Sequence, residues 1–397
     1  MEEHKKNNRA WIHIIVLMIL AFSLGYAMHS VVVIDRNGTE LTSGRVIRKI
    51  QLIERYIDKH FLDEVDVEQQ EDYMYKGLVA GLDDIYSGYY TKEEYEDMKE
   101  SRSGQYCGIG CVVSQDAQTG KFSVVKTYTD SPAEQAGLLA GDILVAVDGE
   151  KISDEDINQL VAKIKGEEGT TVKLKIYRKS IKQRKILEIQ RAQIEENTVA
   201  YSMLNGQVGY VAVYGFEEVT SQQFMDAVED LERRGMQKMI IDLRNNGGGL
   251  LTAVSDMLDY MLPKGSVLVT TKNKSGKKHT IKAKTKHKFE LPLAILVNGE
   301  SASASELFAG AIKDYGIGIL VGTTTFGKGI VQNIYPLPDG SAIKLTESRY
   351  YTPSGNNIHE TGIKPDVEID LPEEQLEMSE VPLWEDAQVL KALDVLE

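Results

Sequence analysis

Three serines alternate with alanines at residues 301–306, SASASE, directly behind the apolar run LPLAILVN. A hydroxyl in such a place serves as surface polish, a helix cap or a nucleophile. Spacing separates the three. A helix starting at Ser303 has Glu306 three residues on, the separation of a capping box. The stripe Leu307, Gly310, Ala311 then places Ser303 on the inward face; Ser305 points roughly the other way and Ser301 precedes the helix. From these residues alone a cap is the default role for Ser303. The same position would favour a nucleophile, because free backbone N–H groups there, including that of Ala304, can stabilise a developing oxyanion.

A nucleophilic serine needs a base. The seven histidines are His4, His13, His29, His60, His279, His287 and His359. Only His359, in GNNIHETG, lies late in the chain outside a lysine-rich stretch, so a Ser-His-Asp triad is poorly supplied. A lysine with a lowered pKa is the other option. TTTFGKGIVQ offers Lys328 between two glycines in an otherwise apolar segment read as strand. Solvent exposure is the default for a lysine, but burial there would disfavour its charged form. Gln332, four residues on, would share its strand face and could orient the amine. DLRNNGGGL, 242–250, adds a glycine run at a strand end, which either makes a tight turn or brings N–H groups close to a ligand.

These residues need a scaffold, and 397 residues can supply two or three domains. The formal charge of −15 argues against nucleic acid as a partner. The basic stretch 272–288 reads as a solvated hairpin whose lysines guard a sheet edge, with contact to an anionic envelope polymer as the alternative. Residues 1–10 form a basic tail, and Trp11 to Ile34 contains no Asp, Glu, Lys or Arg. That length spans a bilayer, and the flanking cations keep the tail in the cytoplasm. We read 11–34 as an uncleaved signal anchor, a cleaved signal peptide being the alternative; either way the remainder faces outward. Cys107 and Cys111 are too far apart for a disulfide if their segment is extended, and they lack the partners of a zinc site, so both are read as small buried hydrophobes.

Residues 35–102 have helical periodicity, through the stretch DYMYKGLVAGLDDIYSGYYTKEEYEDMKE. Residues 103–193 switch to short strands between Gly and Asp turns, with a capped amphipathic helix in SDEDINQLVAKIK, making a β-rich module. From 194 to 373 strands alternate with helices, which implies an α/β domain with a largely parallel sheet and its loops at the strands' carboxyl ends. Residues 374–397 end in a helix.

SASASE, TFGKGIVQ, DLRNNGGG, YYTPSG…GIKPDV and GLVAGLDDIYSGYYT together resemble the carboxy-terminal processing (tail-specific) proteases, membrane-tethered serine peptidases with an inserted PDZ domain. The likeness spans nearly everything after the apolar span. It implies a crotonase-like α/β protease core, with Ser303 as nucleophile, Lys328 as general base and Gln332 as its orienter. Gly249 and Ala304 would supply the oxyanion N–H groups, and no metal or cofactor is needed. The β-rich module resembles a PDZ domain. Gly108, Ile109 and Gly110 would capture a polypeptide's free C-terminal carboxylate, with the strand from Cys111 and the helix at 154–165 as the groove walls. The resemblance also suggests a homodimer through the helical ends. Two other classes stay open on the sequence, a tethered PDZ adaptor without activity and an acyl-thioester enzyme on the same fold.

Overall fold

The computed structural model describes residues 43–397 except 154, 377, 379 and 380. The apolar span 11–34 lies outside the described residues; among those described, no helix is long and apolar enough to cross a membrane. The chain divides into two compact units at Tyr75/Lys76. The first contains α1 (Gly44–His60), a helix with no buried residue whose Ile47, Ile50, Ile53 and Tyr56 are all exposed. α2 (Val67–Ala80) runs across the division.

The second unit opens with a departure from the expected helical stretch. After α2 the chain turns through Asp83, which has φ 54°, and forms a short strand, β1 (Gly88–Tyr90). It re-enters helix as α3 (Lys92–Ser103), started by a Thr91–Glu94 capping box. Periodicity missed β1 because its pairing partner lies more than 250 residues away in the chain: Gly88 is opposite Lys344.

The β-rich module is closed by its own ends. β2 (Gln105–Gly108) pairs antiparallel with β9 (Ala192–Glu195), so the chain leaves beside where it came in. Between them lie β3 (Cys111–Gln115), β4 (Phe122–Thr127), α4 (Pro132–Gln135), β5 (Ile143–Val147), β6 (Glu150–Lys151), α5 (Ile157–Ile164), β7 (Thr171–Arg178) and β8 (Gln183–Gln190). The sheet runs β3-β4-β5-β7-β8 with β6 on β5, leaving β3 as an edge. Alternate residues of β7, Val172, Leu174 and Ile176, point inward onto Phe122, Leu138 and Leu160, as the period of two requires. Asp156 caps α5 by accepting from Asn158 N and Gln159 N.

The remaining chain builds two sheets. β10 (Val199–Leu204), β11 (Val208–Val213), β12 (Lys238–Asp242), β15 (Leu293–Val297), β16 (Ile319–Gly322) and β19 (Val367–Glu368) form the first in that order, parallel from β11 onward. β15 is buried at every residue, which is why it reads as a continuous apolar run. One face packs on α6 (Thr220–Arg233), α7 (Leu251–Met261) and α8 (Ala304–Tyr315); Val389, Ala392 and Leu396, from α10 (Ala387–Val395) and the residue after it, cover part of the other, after the short α9 (Glu373–Leu376). The second sheet is antiparallel, β1-β18-β13-β14 with β17 also on β18. Its strands are β13 (Val267–Asn273), β14 (Lys278–Lys282), β17 (Ile330–Pro336) and β18 (Ala342–Tyr351). The lysine-rich stretch is the β13–β14 hairpin, with β14 at the sheet edge.

Two further expectations need correction. Lys328 is not on a strand: residues 323–329 cross irregularly from β16 in one sheet to β17 in the other. Gly327 permits this with φ 93°, its backbone pressed against that of residues 360–362. Cys107 and Cys111 are free thiols but only half-buried. Desolvation pushes Cys111 up to about 11 and also raises Cys107, so neither is poised as a thiolate.

Candidate active site

The three serines separate cleanly. Ser301 and Ser305 are fully buried, and their hydroxyls donate to Leu243 O at 2.7 Å and Asn246 O at 2.8 Å. Ser303 is partly exposed, and among the described residues its hydroxyl donates no such bond. It is the N-cap of α8, at φ 55° and ψ −109°. An ordinary cap residue takes extended angles, so this backbone is strained, a condition that clusters at functional positions. Surrounding contacts enforce it. Tyr350 Oη donates to Ser303 O at 2.9 Å, and Leu307 N donates to the same oxygen at 2.9 Å.

Glu306 is the hub that capping-box spacing alone did not reveal. Its side chain is completely buried. Oε2 accepts from Ser303 N at 2.9 Å and from Lys328 N at 2.8 Å; Oε1 accepts from Gly327 N at 2.7 Å and Thr325 Oγ1 at 2.6 Å. Both candidate catalytic residues thus hang from one carboxylate oxygen, their backbone nitrogens no more than two hydrogen-bond lengths apart. This also explains why 323–329 is not a strand: amides that a ladder would use are spent on Glu306.

The glycine run is locked to the serine loop by Asn246, which is also fully buried. It donates to Val213 O, accepts from Gly248 N, and its carbonyl accepts from Ala302 N and Ser305 Oγ. A Cβ on Gly248 would meet Ser303 Cβ at 2.8 Å and Ala304 N at 2.9 Å, so only glycine fits. Gly249 bridges to Phe216. Among the described residues, Gly249 N–H and Ala304 N–H have no acceptor, whereas Gly248 N–H is taken by Asn246.

The amine of Lys328 lies over the ring of Tyr86, 4.2 Å from its centroid. Burial, then the nearby Lys344, hold its pKa below the ordinary lysine value, with Asp84 opposing. No hydrogen bond joins Lys328 Nζ to Ser303 Oγ or to Gln332 among the described residues. Gln332 Nε2 instead donates to Thr346 Oγ1 at 3.2 Å, across the β17–β18 ladder. The backbones are together; the side-chain tips are not yet joined. His359 lines the cleft beside this loop with Asp84 and Thr346. Its Nδ1 is buried without a hydrogen-bond partner among the described residues.

In the β-rich module, Ile109 is 2% exposed and Gly110 has φ 75°. Their carbonyls accept from Ala133 N and Tyr128 N, while their own N–H groups have no acceptor among the described residues. Beside them β3 presents its free edge, with Cys111, Val113 and Ile157 partly exposed on the module's core. Among the described residues no group of His, Cys, Asp and Glu is arranged to hold a metal.

A profile for Peptidase family S41 matches residues 207–369, and one for the PDZ domain matches 124–178. The carboxy-terminal processing protease CtpB of Bacillus subtilis (strain 168) is 35% identical over 332 residues, 83% of this chain and 69% of that protein. A probable CtpA-like serine protease of Staphylococcus aureus (strain COL) is 35% identical over 343 residues, covering 85% and 68%. The solved structure of a putative S41 protease from Bacteroides fragilis has a TM-score of 0.51 at 16% identity, over 85% of this chain and 92% of that one, a likeness of fold. Profiles and relatives agree: this chain belongs to the carboxy-terminal processing serine proteases of family S41, with a PDZ domain.

Proposed function

We propose that this chain is a membrane-anchored endopeptidase that takes extracytoplasmic polypeptides by their free C-termini and cleaves them with Ser303 and Lys328. The observation that carries the reading is the shared Glu306 oxygen, which ties the strained serine and the lysine loop to one point. The substrate's terminal carboxylate meets the free N–H groups of Ile109 and Gly110, and its chain adds to the β3 edge with α5 as the far wall. An upstream peptide bond enters the crotonase-like core. Lys328, neutral, takes the Ser303 Oγ proton as Oγ attacks the carbonyl carbon. Gly249 N–H and Ala304 N–H receive the oxyanion. The proton passes to the leaving amine as the C–N bond breaks, and Lys328 then activates water to hydrolyse the acyl-enzyme. Gln332 steadies the amine once it has turned from its present seat toward Ser303. The span 11–34 tethers the enzyme to the cell membrane with its catalytic part outside, and two copies pair as a homodimer.

Full-length protein, its Ser303→Ala form and its Lys328→Ala form are to be compared on casein, with folding checked by circular dichroism. Both variants should stay folded and lose cleavage at least a thousand-fold. Full activity in either refutes the dyad.

A further inference from the structure

Tyr86 is absorbed by none of the roles above, yet its ring is the surface on which the candidate base rests. Its place is built. Asp84 Oδ1 accepts from Tyr86 N at 3.1 Å, and Asp84 Oδ2 accepts from Ser87 Oγ at 2.6 Å. Ser87 Oγ in turn accepts from Thr346 N at 3.0 Å, stapling the segment to β18, and β1 pairs with β18 immediately afterwards. An aromatic face attracts an ammonium and has little hold on a neutral amine. The other charged groups facing this amine are Asp84 from the same segment, which favours its protonated form, and Lys344 from β18, which opposes it. Glu306 of α8 touches only the backbone of Lys328.

Resting on the reading of Lys328 as base, we propose that Tyr86 is a latch: its ring face holds the protonated side chain of Lys328 away from Ser303, so the enzyme rests idle until the amine leaves the ring. Tyr86 is a positioning residue, acting through the lysine and not on the substrate. The latch lies on the path between domains. α3 begins directly after β1, and Glu100 on it is paired with Lys165 at the end of α5 in the PDZ domain.

The test uses the full-length chain with phenylalanine at position 86 and its mono-, di- and trifluorinated forms, which keep the shape while draining the ring face of electron density. The readouts are the pH dependence of kcat on an unstructured peptide and the loss of cleavage in each form when Lys328→Ala is added. The acid limb should move to lower pH stepwise with fluorine number, by about half a unit overall, raising turnover on that limb roughly three-fold. Tyr86→Leu, where folded, should exceed the trifluoro form. A midpoint unmoved by fluorination, or activity that falls with it, overturns the latch while leaving the dyad standing. Activity surviving Lys328→Ala overturns the dyad itself, and the two failures are thereby distinguished.

Discussion

At the residue scale the site is governed by a side chain that does no chemistry. Glu306 accepts from four donors in the interior, and its removal leaves three amides and a hydroxyl without an acceptor, the hydroxyl keeping only the bond that it accepts from Ile363 N. Each unsatisfied buried donor costs about 1–3 kcal/mol, offset in part where water enters. Glu306→Ala should therefore lower stability by roughly 3–5 kcal/mol in urea unfolding, and whatever folds should have lost turnover, since Ser303 and Lys328 no longer hang from one point. Glu306→Ala with wild-type stability would show that the four bonds contribute little. With Lys328 as the base proposed above, a pH dependence follows. A base works when neutral, so activity rises with pH through its pKa, and burial beside Lys344 holds that pKa below the ordinary lysine value of 10.5. The acid limb of kcat should accordingly have its midpoint below 10.5, and a midpoint at or above it would mean that another group titrates.

At the element scale, the proposed function rests on the crossing segment 323–329 and on the β3 edge. The first is a loop because it must leave one sheet and join another while presenting Lys328; a continuous strand could not do both. The second is an unpaired edge next to a left-handed glycine. A Cβ on Gly110 would lie 2.5 Å from Ser131 Cβ, and φ 75° is unfavourable for alanine in any case. Gly110→Ala should raise KM for tailed peptides by about ten-fold while leaving kcat on an untailed peptide little changed. Amidating the tail of a substrate should cost a similar factor in the wild type and none in the variant. Equal effects of amidation on both would place the carboxylate elsewhere.

At the scale of the whole molecule, the C-terminal segment is held to the core by charge as well as packing. Arg244 is bonded to Asp242 and to Asp386 and Gln388, all nearly buried, and α10 lies on the sheet face opposite α6–α8. Arg244→Met would leave two carboxylates facing each other without a cation, a loss of about 3–5 kcal/mol for a buried pair broken on one side. Melting should come several degrees lower, with limited proteolysis releasing the C-terminal segment first. If Arg244→Met melts with the wild type, the network is dispensable to the tether.

Local chemistry was legible in the sequence because it depends on neighbours in the chain. The β15 run, the capped α8 with Ser303 at its start, the glycine turn and the alternation of the PDZ strands all follow from periods of two and 3.6 and from turn residues. So did the family, through several short motifs in order. Where spacing misled was over which serine is exposed: it turned Ser303 inward and Ser305 the other way, whereas Ser305 is buried and Ser303 partly exposed, because Leu243 and Asn246 claim the hydroxyls of Ser301 and Ser305 from 58 and 59 positions away. Only the tertiary structure decided that Glu306 gathers both loops, that Lys328 lies off-strand on the Tyr86 ring, and that β1 joins β18 across the chain. Each of those depends on bonds between distant segments, and a hydrogen bond of that kind leaves no period in the sequence for pattern reading to find.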